Sequence, residues 1–206
     1  MNLLETLEEH RLLAIVRAAS GEIAVRVARR LLDSGIVAVE VSLTTPDALS
    51  AISAIHEQAP EARVGAGTVL SPADVERALA AGADYIVTPC LTAAVHEAVR
   101  LGIPVAAGAF TPTEVAAAKD AGADVVKLFP ASLGGPSYLE AIRAPFPDVH
   151  LVAVGGVDLA GVSAYLSAGA VAVGIGSPLI GDAASGGDLD ALGQRARSLL
   201  GSLGRA

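Results

Sequence analysis

A lysine in an otherwise apolar stretch is the first residue of this sequence that could do chemistry. Residues 122–131 read GADVVKLFPA, in which Lys127 follows two valines and precedes Leu128 and Phe129. Lysine is seldom fully buried unless it has a partner or a function. Burial among apolar side chains disfavours the ammonium form, and a neutral amine attacks ketones to form a Schiff base. Lys127 is therefore a candidate nucleophile.

Glu40 is the candidate acid–base partner of that lysine. It lies in VAVEVSL at 37–43, another apolar run. A carboxylate in such a place could carry protons between water, a carbinolamine and a substrate hydroxyl. One lysine and one carboxylate are sufficient for a retro-aldol cleavage without a metal. The competing interpretation is a buried ion pair without function, which apolar residues could replace at little cost.

Two more polar residues stand in or at the ends of apolar runs. Arg17 closes LLAIVR at 12–17, and Thr68 lies in RVGAGTVL at 63–70. Arg17 alone fits a salt bridge at the rim of the fold as well as it fits ligand binding. Both interpretations of this arginine stay open at this point.

The elements that must position these residues are short β-branched runs separated by helical segments. Most of the runs are nearly continuous in apolar residues, which is typical of parallel strands covered by helices. Eight strands are predicted, at 12–17, 37–43, 63–70, 85–89, 105–110, 125–131, 151–157 and 170–177.

The segments between the strands carry helix-start and helix-stop signals. Three of them begin with Ser or Thr, then Pro, then an acidic residue, at 45–52, 71–79 and 111–119. Capping and the helix dipole favour this order. A glycine that could cap the preceding helix comes shortly before the next strand at 33–40, 80–87, 100–107, 120–127 and 167–174. The unit returns about every 20 to 25 residues, as successive βα units do.

Eight such units predict a single (β/α)₈ barrel domain spanning residues 1–206. Residues 2–10 are predicted to form an extra helix across the N-terminal end of the barrel. A Rossmann-like open sheet is the alternative, but no G-x-G-x-x-G follows the first strand. Active sites of these barrels lie at the C-terminal ends of the strands, which would bring Lys127, Glu40, Arg17 and Thr68 together.

Two glycine-containing loops predict a phosphate site at the same end of the barrel. VGGVD at 154–158 ends the seventh strand and GIGSPL at 174–179 ends the eighth. These two loops commonly bind phosphate in (β/α)₈ barrels through backbone N–H groups. Gly155 and Gly156 would let the backbone approach the anion, and Ser177 would add a hydroxyl. Glycines also serve ordinary turns, so each pair alone is a weak signal.

Composition limits the classes of partner. The net charge of −8 and an aromatic content of 3% argue against nucleic acid, which requires a basic footprint and often stacking rings. No apolar stretch reaches the roughly 20 residues of a membrane span. The acidic, amphipathic first residues differ from a signal peptide. We therefore expect a cytoplasmic protein without a membrane or nucleic-acid partner.

The histidines and the single cysteine do not suggest a metal site. His10, His56 and His96 are predicted on helices and His150 just before the seventh strand, whereas metal ligands should converge. This arrangement counts against a metal-dependent phosphosugar epimerase. Cys90 is the only cysteine, which rules out an intrachain disulfide, and it is interpreted as a packing residue. We expect neither a metal nor another cofactor.

These residues resemble a known family, the class I aldolases for 2-keto-3-deoxy-6-phosphogluconate (KDPG) and its galactonate epimer (KDPGal). The resemblance runs from about Leu12 to about Gly181. It is carried by the motifs VEVSL with Glu40, GAGTVL with Thr68, VTP with Pro89, VKLFPA with Lys127 and Phe129, VGGV, and GIGS with Ser177.

The resemblance implies a role for each of these residues. Lys127 would form the Schiff base and Glu40 would shuttle protons. Other residues would bind the substrate: Arg17 and Thr68 at the pyruvate moiety, Pro89 and Phe129 as pocket walls, and Gly155, Gly156 and Ser177 at the phosphate. The family also implies a homotrimer.

Two positions depart from the gluconate branch of the family. Thr44 stands where that branch usually has Arg. Val154, which is expected among the substrate-binding residues, stands where that branch has Thr before the paired glycines. A valine cannot supply the hydroxyl that the threonine offers to a substrate. The galactonate branch resembles this chain better at both positions, so the resemblance favours the galactonate epimer.

The expected reaction is therefore reversible cleavage of a phosphorylated six-carbon keto-deoxy sugar acid to pyruvate and glyceraldehyde 3-phosphate. Two alternatives remain open from the sequence. One is a lysine-dependent aldolase for another 2-keto acid, such as 4-hydroxy-2-oxoglutarate. The other is a phosphosugar-binding barrel without lyase activity, in which Lys127 would be unreactive.

Overall fold

Eight parallel strands, hydrogen-bonded in chain order, form a closed barrel in the computed structural model, which describes residues 2–204. The barrel closes where β8 pairs with β1. The strands are β1 (Leu12–Val16), β2 (Ala38–Ser42), β3 (Arg63–Gly67), β4 (Tyr85–Val87), β5 (Val105–Ala109), β6 (Val125–Leu128), β7 (Leu151–Val154) and β8 (Ala172–Ile175). The predicted (β/α)₈ architecture is confirmed.

Helices alternate with the strands around the outside of the barrel. They are α1 (Leu3–His10), α2 (Gly21–Asp33), α3 (Ala48–Gln58), α4 (Pro72–Ala80), α5 (Ala93–Arg100), α6 (Pro112–Asp120), α7 (Gly135–Arg143), α8 (Val162–Ser167), α9 (Ser177–Ile180) and α10 (Leu189–Ser202). The extra helix expected at 2–10 is α1. The predicted domain span of 1–206 also includes residues 1, 205 and 206, which lie outside the described residues.

Two hydrophobic clusters form the core, because successive strand residues point to opposite faces. The larger cluster fills the layer between strands and helices. The smaller one fills the barrel interior with residues such as Leu13, Tyr85 and Val125, and includes Leu3 and Leu7 of α1. Helix α1 therefore closes the N-terminal end of the barrel, and the opposite end is left for a site.

The observed strands are shorter than predicted at their C-terminal ends. Arg17, Thr68, Pro89 and Phe129 each lie one or two residues beyond a strand, in the loop that leads to the next helix. The apolar patterns run past the strand ends because loop residues such as Ala18 and Val69 are also buried. Loop backbone, rather than strand backbone, therefore positions several of the predicted site residues.

Two of the three predicted helix starts are confirmed as capping boxes. Ser71 caps α4 and Thr111 caps α6, each with Pro as the next residue. The third prediction was wrong: α3 begins at Ala48, after Asp47 in a left-handed conformation without a side-chain cap. The hydroxyl of Thr45 instead accepts the backbone N–H of Ala18 at 3.1 Å. The β2–α3 loop is thereby tied to the β1–α2 loop.

The predicted C-cap glycines are confirmed by their backbone conformation. All five have positive φ, at Gly35, Gly82, Gly102, Gly122 and Gly169. A positive φ lets the chain leave the helix and turn back into the next strand. Among residues 2–204, no helix is both long enough and apolar enough to cross a membrane.

Candidate active site

A cavity of about 320 Å³ opens at the C-terminal ends of the strands. It brings together ten residues that were predicted separately from the sequence. They are Arg17, Glu40, Thr68, Pro89, Lys127, Phe129, Val154, Gly155, Gly156 and Ser177. Residues from seven different strand ends therefore meet at one place, as the barrel geometry requires.

Lys127 points into the barrel from β6, where it pairs in register with Gly108 of β5 and Val152 of β7. The residue is only 7% exposed, and its Nζ lies 5.5 Å from the centre of the Phe129 ring. Within residues 2–204 its amine makes no hydrogen bond and no ion pair within 4.0 Å. The amine is therefore desolvated and faces the cavity without a partner that would occupy it.

Glu40 lies on β2 and is 1% exposed. Its Oε2 is the one buried side-chain polar atom without a hydrogen-bond partner in the described part of the chain. Burial raises the pKa of this carboxyl above its ordinary value, although the cations of Lys127 and Arg17 partly oppose the rise. A carboxyl of this kind can take up and release a proton within the cavity.

Two glycines of β3 make room for this carboxyl and for the ring beneath it. A Cβ on Gly67 would overlap Oε1 of Glu40, and a Cβ on Gly65 would overlap the ring of Tyr85. The Tyr85 hydroxyl is buried and donates to the Val39 carbonyl at 2.8 Å. Burial, followed by the nearby Glu40, raises the pKa of Tyr85, so its phenol stays neutral. The floor below Glu40 is thus uncharged.

A chain of hydrogen bonds links the β1, β2 and β3 loops at one side of the mouth. Arg17 Nε donates to Thr44 Oγ1 at 3.1 Å. The Ser42 hydroxyl lies 2.9 Å from Thr44 Oγ1 and 2.8 Å from Thr68 Oγ1. Among residues 2–204, Arg17 has no carboxylate within 4.0 Å, so the salt-bridge interpretation of this arginine is wrong.

The loop after β7 places two consecutive glycines at the opposite side. Gly155 and Gly156 have φ of +90° and +74°. A Cβ would overlap the Phe129 ring at the first position and the Ser132 side chain at the second. Only glycine fits this close approach, and it leaves backbone at the cavity surface. Ser177, the first residue of α9, lies beside them.

Further lining residues were not predicted from the sequence. They are Ile15, Val157, Gly174, Gly176 and Pro178. Ile15 reads as an ordinary barrel residue, so its type carries no signal. Val157 lies in the quoted VGGVD segment, and Gly174, Gly176 and Pro178 lie in the quoted GIGSPL segment, so those segments could have pointed to them.

The histidines and Cys90 lie away from a shared centre. His10, His56 and His96 lie on helices and His150 precedes β7, as predicted. In the described residues, no group of three or more His, Cys, Asp or Glu is placed to hold a metal ion. The interpretation of Cys90 as a packing residue was wrong, since it is exposed. Backbone of Pro89 and Cys90, rather than the thiol, lies against Gly108 of β5.

A family model described as KDPG and KHG aldolase matches residues 3–194. The chain belongs to this family. It is therefore an aldolase, a carbon–carbon lyase, and the resemblance found in the sequence is confirmed.

Curated relatives within the family carry both epimer names. The chain is 40% identical over 184 residues to a probable 2-dehydro-3-deoxy-6-phosphogalactonate aldolase of Rhizobium meliloti, covering 88% of this chain and 87% of the relative. It is 37% identical to the Escherichia coli enzyme of that name, covering 82% and 83%. It is 38% identical to the Escherichia coli KHG/KDPG aldolase, covering 85% and 84%.

Solved structures share the fold closely. One described as native KDPGal superposes with a TM-score of 0.87 at 33% identity, covering 93% of each chain. Legionella pneumophila KDPG aldolase, with pyruvate captured as a covalent carbinolamine, gives 0.88 at 26% identity, covering 97% and 98%. A designed cage built by fusing symmetric oligomeric domains gives 0.85 at 33%, covering 92% of this chain and 70% of that chain.

Proposed function

We propose that this chain is a class I aldolase that cleaves 2-keto-3-deoxy-6-phosphogalactonate to pyruvate and glyceraldehyde 3-phosphate, with Lys127 as the Schiff-base residue. The proposal rests on the burial of the Lys127 side chain and on the contacts of its amine. Its amine is buried, faces the cavity and has no acidic partner within 4.0 Å among residues 2–204, while Glu40 faces the same cavity. An amine in this setting is available to attack a ketone.

The first step forms the covalent intermediate. The Lys127 amine attacks C2 of the keto acid, and the carbonyl oxygen takes a proton to give a carbinolamine. Glu40 then delivers a proton to the carbinolamine hydroxyl, water leaves, and a cationic iminium forms on Nζ. The covalent carbinolamine of the Legionella pneumophila relative supports this order of events.

The second step breaks the carbon–carbon bond. The Glu40 carboxylate takes the proton of the C4 hydroxyl, the C3–C4 electron pair moves into the iminium, and the aldehyde leaves. The enamine that remains on Lys127 is protonated at C3, and water then hydrolyses the iminium to release pyruvate and the free amine. The raised pKa of Glu40 suits a group that must both accept and return a proton.

Opposite sides of the cavity would bind the two anionic ends of the substrate. Arg17 and Thr68 would bind the carboxylate, since this guanidinium has no acidic partner in the described residues. Gly155 and Gly156 backbone and the Ser177 hydroxyl would bind the 6-phosphate, as loops seven and eight do in such barrels.

The preference for the galactonate epimer rests on two positions. Val154 lines the cavity without a hydroxyl, and Thr44 binds Arg17 where the gluconate branch has an arginine. The galactonate names of the Rhizobium meliloti and Escherichia coli relatives agree with this preference.

Reductive trapping tests the proposal directly. The chain contains two lysines, Lys127 and the exposed Lys119, so each adduct can be assigned by peptide mass spectrometry. Pyruvate with borohydride should modify Lys127 and leave Lys119 unmodified. Lys119→Arg should trap as the wild type does, and Lys127→Arg should not trap. Absence of the Lys127 adduct in the wild type would overturn the proposal.

A second candidate substrate is 4-hydroxy-2-oxoglutarate, which the name of the Escherichia coli KHG/KDPG relative supports. This substrate lacks the 6-phosphate, so it would leave the Gly155–Ser177 side of the cavity unused. Comparing kcat/KM for the phosphorylated and unphosphorylated substrates separates the two. A large advantage for the phosphorylated acid supports the first proposal.

We further propose that the chain acts as a homotrimer in the cytoplasm. The likeness to a symmetric oligomeric domain of the designed cage supports an oligomer. The single cysteine, which excludes intrachain disulfides, agrees with a reducing compartment. Light scattering that gives the mass of a monomer would contradict the trimer.

A further inference from the structure

Ser42 is a buried hydroxyl at the active-site mouth to which neither the sequence motifs nor the family description gives a role. It is the last residue of β2, two positions after Glu40, and it is fully buried. Its Oγ lies 2.9 Å from Thr44 Oγ1 and 2.8 Å from Thr68 Oγ1. We infer that Ser42 is a positioning residue that joins Arg17 and Thr44 to Thr68 and so builds the carboxylate-binding side of the cavity.

One end of this chain of hydrogen bonds has a fixed direction. Arg17 Nε can only donate, so Thr44 Oγ1 accepts from it. Either hydroxyl can donate in the Thr44–Ser42 and Ser42–Thr68 pairs, and the inference takes the direction in which Thr44 donates to Ser42 and Ser42 donates to Thr68. The Thr68 proton is then left to point at a ligand. A chain of donors aligned in this way strengthens each member.

The backbone holds this chain of hydroxyls rigidly. The Thr45 N–H donates to the Ser42 carbonyl at 2.9 Å, which closes the turn that carries Thr44. The Leu43 N–H donates to the Gly67 carbonyl at 2.8 Å, which joins the same turn to the end of β3. Ser42 is therefore fixed between the two threonines, and its hydroxyl cannot turn toward water.

Thr68 needs such support because of its own backbone. Its φ of +59° is in the left-handed region, which β-branched residues rarely adopt. The bond from Ser42 holds the side chain of this strained residue in one orientation. Strained residues at active sites are maintained by the structure around them.

The inference rests on the proposed function, in which Arg17 and Thr68 bind the pyruvate carboxylate. Loss of the Ser42 hydroxyl should weaken carboxylate binding and leave the Lys127 amine intact. The expected loss is about threefold to tenfold in affinity, which corresponds to about 0.7–1.4 kcal/mol and lies within the range for one hydrogen bond.

The test measures the half-saturating ketone concentration for reductive trapping on Lys127. Ser42→Ala should raise this concentration for pyruvate by about threefold to tenfold. For acetone, which has no carboxylate, it should change less than about twofold. A change that is equal for both ketones would show a general effect on the site and would overturn the inference.

Thr44 is exposed, and two variants at this position provide a second version of the same test. Thr44→Val removes the hydroxyl and keeps the shape, so it should match Ser42→Ala, whereas Thr44→Ser should behave as the wild type. The double variant Ser42→Ala with Thr44→Val should be no worse than either single one, because both break the same chain. Additive effects, or equal effects of Val and Ser at position 44, would contradict the inference.

Ser53 is the matched control, because it is a partly buried hydroxyl that donates to the Ala81 carbonyl far from the cavity. Ser53→Ala should leave both half-saturating concentrations unchanged.

The pyruvate-dependent rise in Tm measures occupancy of the same site without borohydride reduction, and it should shrink in Ser42→Ala. Failure of the proposed function appears separately, as absence of any Lys127 adduct in the wild type. An unchanged Tm response in Ser42→Ala contradicts the role of Ser42.

Discussion

The Glu40 carboxyl on β2 occupies the space that a side chain at Gly67 on β3 would fill. A Cβ at position 67 would overlap both Oε1 and Cδ of Glu40. The two residues lie on adjacent strands, where Gly67 pairs in register with Ser42 and Glu40 with Gly65. The position of the proposed proton shuttle therefore depends on a side chain that is absent from the neighbouring strand.

Gly67→Ala should displace Glu40 and lower kcat by about 10²-fold, the cost of moving a catalytic group by roughly 1 Å. Lys127 lies on the opposite side of the barrel, so the final yield of trapped pyruvate adduct should be retained. Steady-state kinetics and trapping measure the two effects. Gly201→Ala, in α10 with open space around it, is the control and should leave kcat unchanged. Equal loss of kcat and of adduct would argue against selective displacement of Glu40.

The raised pKa of Glu40 predicts the acidic limb of the cleavage rate. Cleavage needs the ionised carboxylate, so kcat should fall as pH decreases through a pKa above the ordinary 4.5. Glu40→Gln should lower kcat by about 10²- to 10⁴-fold and remove this limb. The pH profile of kcat measures both. Glu140→Gln, at an exposed position on α7, is the control and should keep the fall of kcat at acidic pH. If Glu40→Gln also kept this fall, the titrating group would be a residue other than Glu40.

The same burial predicts a stability difference with a defined sign. Because the folded pKa of Glu40 is raised, wild-type stability should fall as pH rises from the ordinary pKa of 4.5 through the folded pKa. Glu40→Gln lacks this loss, so it should be more stable than the wild type at pH 7–8. The difference should vanish toward pH 4. Urea unfolding at several pH values tests this prediction, and a wild type that is more stable than Glu40→Gln at pH 8 would contradict it.

Charges in apolar strands made the central pair predictable from the sequence. Lys127 and Glu40 break the pattern of buried parallel strands, and such a break is expected at a functional site. The repeated helix–glycine–strand unit gave the barrel, and the barrel then placed both residues at one end. Local patterns and one fold rule were therefore enough for the main features of the site.

Contacts between distant loops could not be predicted in the same way. Ser42 meets Thr68 across 26 positions, and Thr45 meets Ala18 across 27, only because the closed barrel brings these loops together. Thr45 fits a helix cap by residue type, and its tertiary partner overrides that local preference. The prediction that Cys90 packs in the core failed for a similar reason. Gly108 closely approaches the backbone of the loop that carries Cys90, and the thiol takes no part in this contact.

Ser177→Ala tests the proposed phosphate end. Loss of a hydrogen bond to a charged phosphate should raise KM for the phosphorylated substrate by about tenfold to a hundredfold. The half-saturating pyruvate concentration for trapping on Lys127 should not change, because pyruvate does not reach this side. Ser198→Ala, exposed on α10, should alter neither value. An unchanged KM in Ser177→Ala would remove this serine from the phosphate site.

Val154→Thr tests the preference between epimers. Val154 is 3% exposed, faces the barrel interior and lines the cavity, so a threonine of nearly the same shape would add one hydroxyl. That hydroxyl should favour the gluconate epimer by about 1–3 kcal/mol, a change of about tenfold to a hundredfold in the ratio of the two kcat/KM values. Val154→Ala changes the size of the wall without adding a hydrogen bond, and it should lower both values alike. If Val154→Thr also changes kcat/KM equally for both epimers, a residue other than the one at position 154 distinguishes the C4 hydroxyl.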